Sequence, residues 1–125
     1  MAVKVVDASA IAALLFDEAG SDEIARRLTG ERLVAPALLS FELANVCLKK
    51  CKQHPSERDG FTQAFAMRTK LTVEEFAVNP DEVVRLALAV GLSAYDGAYL
   101  WLASQLGAEL ITLDHRLAKA AGISP

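Results

Sequence analysis

Apolar and polar positions along this chain switch between two rhythms. The first residues, VKVVDAS, place Val3, Val5 and Val6 in a short run that stops at an acid, Asp7. ELITLDHRL repeats the figure near the other end, with Leu110, Ile111, Thr112 and Leu113 stopping at Asp114. Such runs read as buried strands that reach an edge.

Between them the spacing becomes helical. The pattern predicts a strand over 4–6, a helix over 8–16, and a second helix opened by Gly20-Ser21-Asp22 with Ile24, Ala25 and Leu28 on one face. A strand over 33–35 closes at Pro36, and Leu39, Leu43 and Val46 set a long helix over 38–52. A turn over 54–59, a helix over 60–69 and a strand over 72–76 follow. Asn79-Pro80 is a helix start, with Asn as cap and Pro in the first turn, and Gly91 is its end. Ser93 opens a helix that Gly107 stops, then come a strand over 109–113 and a helix over 116–121. This alternation predicts one α/β domain over 1–125, a parallel sheet with helices on both faces. Periodicity leaves the strand order open.

Composition agrees with a core-rich fold, at 53% hydrophobic and 23% charged residues. The net charge of −3 excludes binding of polyanions by bulk charge, so a nucleic-acid role needs a local basic patch or a metal. No targeting segment and no long uncharged stretch is visible, so a cytoplasmic protein without membrane contact is expected. Cys47, Cys51 and His54 share one helical face but lack a fourth ligand, and buried thiols are the expected reading over a zinc site.

Acids carry the candidate chemistry. In open α/β sheets, ligands bind beyond the carboxyl ends of the strands, where Asp7 and Asp114 fall. Glu42 lies in the first turns of the long helix, with Asn45 and Lys49 on its stripe. Asp96 lies three residues after Ser93. Helices that follow parallel strands begin on the same rim, so all four acids can meet. Two carboxylates ~5 Å apart repel by about 3 kcal/mol at an effective dielectric near 20, so four together call for a cation. Hard oxygen donors without His or Cys favour magnesium or manganese. Each acid also has a purely structural reading: Asp7 and Asp114 as helix caps, Ser93-x-x-Asp96 as a capping box, Glu42 as a solvated side chain. Capping leaves unexplained why Glu42 and Asn45 interrupt an apolar stretch.

VVDASAIAALLFDE, APALLSFELANVCLKK and LSAYDGAYLWLASQLGAELITLDHRLAKAAG together resemble the PIN-domain family, and within it the VapC-type toxins of bacterial and archaeal toxin–antitoxin pairs. The resemblance matches Asp7, Glu42, Asp96 and Asp114 to the family's four acids, with Asn45 in the pattern Glu-x-x-Asn; Gly97 stands where Ala is common. It implies an Mg²⁺- or Mn²⁺-dependent endoribonuclease with metal-activated water as nucleophile and 5′-phosphate products. An RNA substrate, a cognate antitoxin and a homodimer are the implied partners. Ser9 and Thr112 are hydroxyls near the site, expected chiefly to cap and pair locally. Lys49, Lys50, Lys52 and Arg116 are candidate RNA contacts, with Arg26, Arg27 and Arg32 as further ones. Phe61, Phe65 and Met67, with Leu14, Leu15 and Phe16, are candidates for a partner groove, with core packing expected for most.

Two enzyme alternatives fit less well. A phosphoacceptor receiver domain has an acidic pair after its first strand and a Lys after its last, whereas Ala8 and Ser9 follow Asp7 here. A haloacid-dehalogenase-type phosphatase has Asp-x-Asp, and position 9 is Ser. A non-catalytic PIN-like interaction module is the remaining alternative, and the presence of all four acids argues against it.

Overall fold

Consecutive residues of a strand point to opposite faces of a sheet, so two adjacent buried residues require cover on both. Val5 and Val6 are both fully buried, as are Val34 and Ala35, and Leu110 and Ile111 are nearly so. The computed structural model, which describes residues 2–123, accounts for this with a parallel sheet between helical layers.

Chain order is β1 (Val3–Val6), α1 (Ala8–Leu15), α2 (Ser21–Leu28), β2 (Arg32–Pro36), α3 (Leu39–Gln53), α4 (Arg58–Ala66), β3 (Glu74–Phe76), α5 (Pro80–Val90), α6 (Ala94–Leu106), β4 (Glu109–Ile111) and α7 (His115–Ala121), with short 3₁₀ turns before and after α4. The four strands lie in the order β3-β2-β1-β4. All three pairings are parallel, with Val5 beside both Val34 and Leu110, and Val34 beside Glu74. The chain steps outward from β1 through β2 to β3, then returns to add β4 on the other side of β1. The carboxyl ends of β1 and β4 therefore flank the point where the winding reverses, which is where open α/β sheets form a ligand crevice.

Local chemistry sets the helix ends. The side chains of Asp7, Asn79, Ser93 and Asp114 cap α1, α5, α6 and α7 by accepting backbone N–H bonds. Gly91 and Gly107 end α5 and α6 in the left-handed conformation. The reason for Gly97 is the crossing of α5 and α6. A Cβ there would stand 3.1 Å from the Cβ of Ala87 and 3.5 Å from Val83 Cγ1, so alanine at this position would crowd the helix pair.

Three boundaries differ from the sequence reading. β4 stops at Ile111 rather than Leu113, because hydroxyl groups, not a neighbouring strand, take the next backbone N–H groups. β3 starts at Glu74, since Thr72 is left-handed at φ 53° and breaks the extended run. α4 begins at Arg58, inside the expected turn, and gives way to a 3₁₀ turn at Met67.

The proposed partner groove is largely core. Leu14, Leu15, Phe16 and Phe65 pack against the buried cluster, and Phe16 meets Phe61 edge to face at 6.2 Å. Met67 remains exposed, as do Phe41, Val84, Leu88 and Tyr95. Cys47 Sγ and Cys51 Sγ each donate to a carbonyl, of Phe61 and Arg58, and His54 lies exposed beside Glu57. Among the described residues no single helix is long and apolar enough to cross a membrane.

Candidate active site

Asp7 is the first residue beyond β1, and its backbone N–H makes the last bond to β4, to Ile111 O at 3.2 Å. Asp7 is 4% exposed, and its carboxylate accepts three hydrogen bonds, which leaves Oδ2 one lone pair. Oδ1 accepts from the Ala10 N–H at 3.0 Å and from Ser9 Oγ at 2.7 Å, and Oδ2 accepts from Thr112 Oγ1 at 2.5 Å. A hydroxyl has one proton to give, and both are spent on Asp7. Their lone pairs are used too: Ser9 Oγ accepts from the Leu113 N–H and Thr112 Oγ1 from the Asp114 N–H, each at 2.9 Å. Ser9 and Thr112 thus pair locally, as expected, and in doing so fix the rotamer of Asp7 and tie β1 to the loop after β4.

The other acids arrive from helix starts. Asp114 caps α7, accepting from the Leu117 N–H at 3.0 Å. Asp96 sits in the first turn of α6, where its N–H donates to Ser93 Oγ at 3.1 Å. Glu42 sits in the first turn of α3, half-buried, and Oε1 accepts from Tyr99 OH at 2.6 Å.

Charge links these four side chains. Burial raises the Asp7 carboxyl above the ordinary range, the charge of Asp114 adds to it, and the three hydrogen bonds oppose it. Burial raises Glu42, against the Tyr99 hydrogen bond and with the charges of Asp96 and Asp7. Burial and the charge of Asp114 raise Asp96, while Ser93 and the Arg116 guanidinium pull it down. Asp7, Glu42 and Asp96 are thus each raised in part by the charge of another of the four acids. Among the described residues no three His, Cys, Asp or Glu side chains close around a common point. The donors are all oxygen, and their mutual repulsion is only partly offset by Arg116 and the neighbouring hydroxyls, a donor chemistry suited to a hard divalent cation.

Tyr99 is the participant that sequence reasoning missed. It is 1% exposed, and burial and the Glu42 hydrogen bond raise its phenol far above the ordinary value, so it stays a donor. It lies three residues after Asp96 on α6, the spacing that puts two side chains on one helical face. Asn45, by contrast, is exposed and makes no hydrogen bond to Glu42; Tyr99 takes that place. Tyr99→Phe is expected to keep the fold, lowering stability by about 1–2 kcal/mol for the lost bond. Because that bond lowers the Glu42 pKa, its loss raises it, and any activity needing ionised Glu42 should show its acid limb at higher pH. A pH–rate profile superimposable on that of the parent would show that the phenol does not tune Glu42.

The cations divide sharply. Arg116 is exposed at the start of α7, its charge reaches Asp96, and Nη2 donates to Gly91 O at 3.3 Å. Lys49 and Lys52 are exposed on α3. Lys50 is engaged elsewhere, paired with Glu18 and lying 5.2 Å from the Phe16 ring centre. Arg27 and Arg32 are on the wrong edge. They pair with Glu109 and Glu74, the first residues of β4 and β3, at the amino ends of the strands. Arg26 pairs with Glu23 within α2.

The model of the PIN domain family matches residues 4–123. The chain belongs to the PIN-domain family. This PIN domain is 33% identical over 120 residues to Ribonuclease VapC3 of Pyrobaculum aerophilum, covering 92% of each chain. It is also 33% identical over 119 residues to Ribonuclease VapC12 of Mycobacterium tuberculosis, covering 94% of this chain and 92% of the relative. Among solved structures, PAE2754 from Pyrobaculum aerophilum superposes with a TM-score of 0.78 at 27% identity, covering 99% of this PIN domain and 91% of that chain. Mycobacterium tuberculosis VapC20, described as a toxin cleaving the sarcin–ricin loop, superposes at 0.68 with 17% identity over 97% and 96% of the two chains, a likeness of fold.

Proposed function

We propose that this PIN domain is an Mg²⁺- or Mn²⁺-dependent endoribonuclease, the toxin of a toxin–antitoxin pair. The reading is carried by membership of the PIN-domain family beside relatives named ribonucleases, and it is supported by Asp7, Glu42 and Asp96 each lying within reach of another acid's charge. Asp7, Asp96 and Asp114 would hold the cation. Glu42 would either hold a second one or accept a hydrogen bond from the attacking water. A divalent cation in such a site neutralises phosphoryl oxygens and makes water more acidic.

The protein's own groups do the rest. Ser9, Thr112 and the Ala10 N–H hold the Asp7 carboxylate in one orientation. Tyr99 keeps Glu42 aimed and favours its ionised form. Glu42, which the Tyr99 hydroxyl favours in its ionised form, is the group able to take a proton from the nucleophile. Arg116 meets a phosphate beside Asp96, and Lys49 and Lys52 offer further backbone contacts along α3; exposed Asn45, between Glu42 and Lys49, is available to a water or a ribose.

The implied partners are an antitoxin that silences the enzyme in the cytoplasm and a second copy of the chain. Exposed Phe41, Val84 and Leu88 supply apolar surface for such contacts.

The purified protein is expected to cleave RNA when Mg²⁺ or Mn²⁺ is present and to stop on chelation, leaving 5′-phosphate ends. Arg116→Glu should weaken RNA binding and flatten its salt dependence by about one phosphate's worth, while Arg32→Glu leaves both unchanged. Binding of antitoxin without any cleavage of RNA, in either cation, would identify a non-catalytic PIN module instead.

A further inference from the structure

Beside the acids, on the β3 side of α3, lies a cavity of about 280 Å³ that the proposed chemistry does not use. Ser40, Arg68, Thr69, Thr72 and Glu75 wall it, and Leu43 is part of its lining. Ligand sites for drug-sized molecules start at roughly this size, so it suits one flat group rather than a length of chain. It is close to the reaction. Leu43 follows Glu42 directly on α3, and the charge of Glu75 is felt by the same Tyr99 hydroxyl that donates to Glu42.

Its polar groups are held ready. Glu75 Oε2 accepts from Ser40 Oγ at 3.1 Å, with the Ser40 N–H 3.5 Å from Oε1. An ionised carboxylate has about four lone-pair sites, so each oxygen retains one for a ligand. Arg68 lies over the Phe65 ring, 4.1 Å from its centre, and donates to Phe65 O at 3.3 Å, which fixes its guanidinium plane against the wall. Thr72 is held at φ 53°. For a β-branched residue this conformation is rare and costly, and such residues gather at ligand sites.

We infer that this cavity receives one unpaired base of the RNA, and that guanine fits it best; the inference rests on the ribonuclease reading. Guanine alone among the four bases presents two adjacent N–H donors, N1–H and the N2 amino group, on its Watson–Crick edge, and two parallel acceptors are what Glu75 offers. Recognition of splayed-out bases by their Watson–Crick edges and by stacking on Arg planes is the usual route to sequence preference in single-stranded RNA. The Thr69 and Thr72 hydroxyls are placed for the base's remaining edge or its ribose. Glu75 here sets which base is accepted and takes no part in bond cleavage.

Two measurements test this independently of each other. In the first, guanosine, adenosine, cytidine and uridine 5′-monophosphates are titrated against the cation-free protein and followed by amide chemical shifts. GMP should bind about 10-fold or more tighter than the others, the discrimination expected of one good bidentate contact, with shifts centred on Thr69, Thr72 and Glu75. Glu75→Gln, a change at an exposed residue, should erase the preference. In the second, hexanucleotides with each base at each position are cleaved; the parent should favour G at one fixed position, and Glu75→Gln should bring the relative rates for the four bases at that position within about 2-fold of one another. Equal binding of the four nucleotides, shifts elsewhere, or a G preference that survives Glu75→Gln would overturn the assignment. Binding as expected without any RNA cleavage would keep the base site and remove the nuclease reading.

Discussion

Asp7→Asn is expected to abolish cation-dependent RNA cleavage and to leave a folded protein that melts higher than the parent. Both halves follow from one side chain. Asparagine has almost the same shape, caps helices as well as aspartate does, and retains an oxygen to accept from the Ala10 N–H and Ser9 Oγ. The Thr112 hydroxyl, which now donates to Oδ2, would face an amide group and must turn its lone pairs towards it. That turn takes the buried Thr112 proton off its Asp7 acceptor, a cost of about 1–3 kcal/mol that opposes the relief of burying a charge, and the bonds to the Ala10 and Asp114 N–H groups keep the local structure. The formal charge does not survive, and with it goes the best-oriented anionic oxygen on the rim. Losing an outer-shell partner of a metal commonly costs 10–100-fold in activity or affinity, so losing a direct ligand should exceed about 100-fold. The gain in stability has the opposite origin. Burial makes the ionised form of Asp7 unfavourable in the cation-free fold, and the neutral amide is free of that penalty. Cleavage by Asp7→Asn at the parent rate would remove Asp7 from the chemistry. Loss of activity together with unfolding would make Asp7 a structural cap alone, a distinction that circular dichroism of the variant decides.

Much of this arrangement could be read from the chain. The caps at Asn79, Ser93 and Asp114 and the stops at Gly91 and Gly107 act through neighbours in sequence, so their positions follow from local chemistry. The strands end at Asp7 and close to Asp114 for the same reason. What stayed hidden depends on contacts between distant residues. Strand order was unreadable, and only the order β3-β2-β1-β4 explains why Asp7 and Asp114 share a crevice. Arg27 and Arg32 look like free cations in sequence; strand register places them at the amino edge beside Glu109 and Glu74. Helical spacing sets Asn45 on the stripe of Glu42, whereas the hydrogen-bond partner of Glu42 is 57 positions away on α6. Tyr99 reads as an ordinary core aromatic because most of it is one, and only its hydroxyl belongs to the site. Gly97, a departure from the expected alanine, becomes intelligible once α5 is seen to cross at Ala87.

Divalent cations should reverse the pH dependence of stability. In the cation-free protein Asp7, Glu42 and Asp96 all have raised pKa values. A group whose pKa is higher folded than unfolded binds more protons in the folded state across the interval between the two values. Its contribution is therefore complete below the unfolded value and is lost as pH rises through the folded one. The cation-free protein should thus lose stability from these acids as pH rises above the ordinary carboxylate range. Glu74 and Glu109 act in the other direction, since Arg32 lowers the first and Lys4 and Arg27 the second, so their contribution is lost as pH falls. Those pairs are exposed at the far edge of the sheet and are worth little, and a cation at the acids leaves them unchanged. The informative quantity is therefore the difference between the two melting curves. A bound cation favours the ionised acids and competes with protons, so its stabilisation grows with pH; at a free concentration 100 times its dissociation constant it amounts to about 2.7 kcal/mol. Thermal melts from pH 5 to 8 with Mg²⁺, with Mn²⁺ and with chelator should diverge as pH rises, and Asp7→Asn should close most of the gap. Parallel curves, or a gap that Asp7→Asn leaves intact, would mean that the ion binds elsewhere and that the four carboxylates at the crevice are not its site.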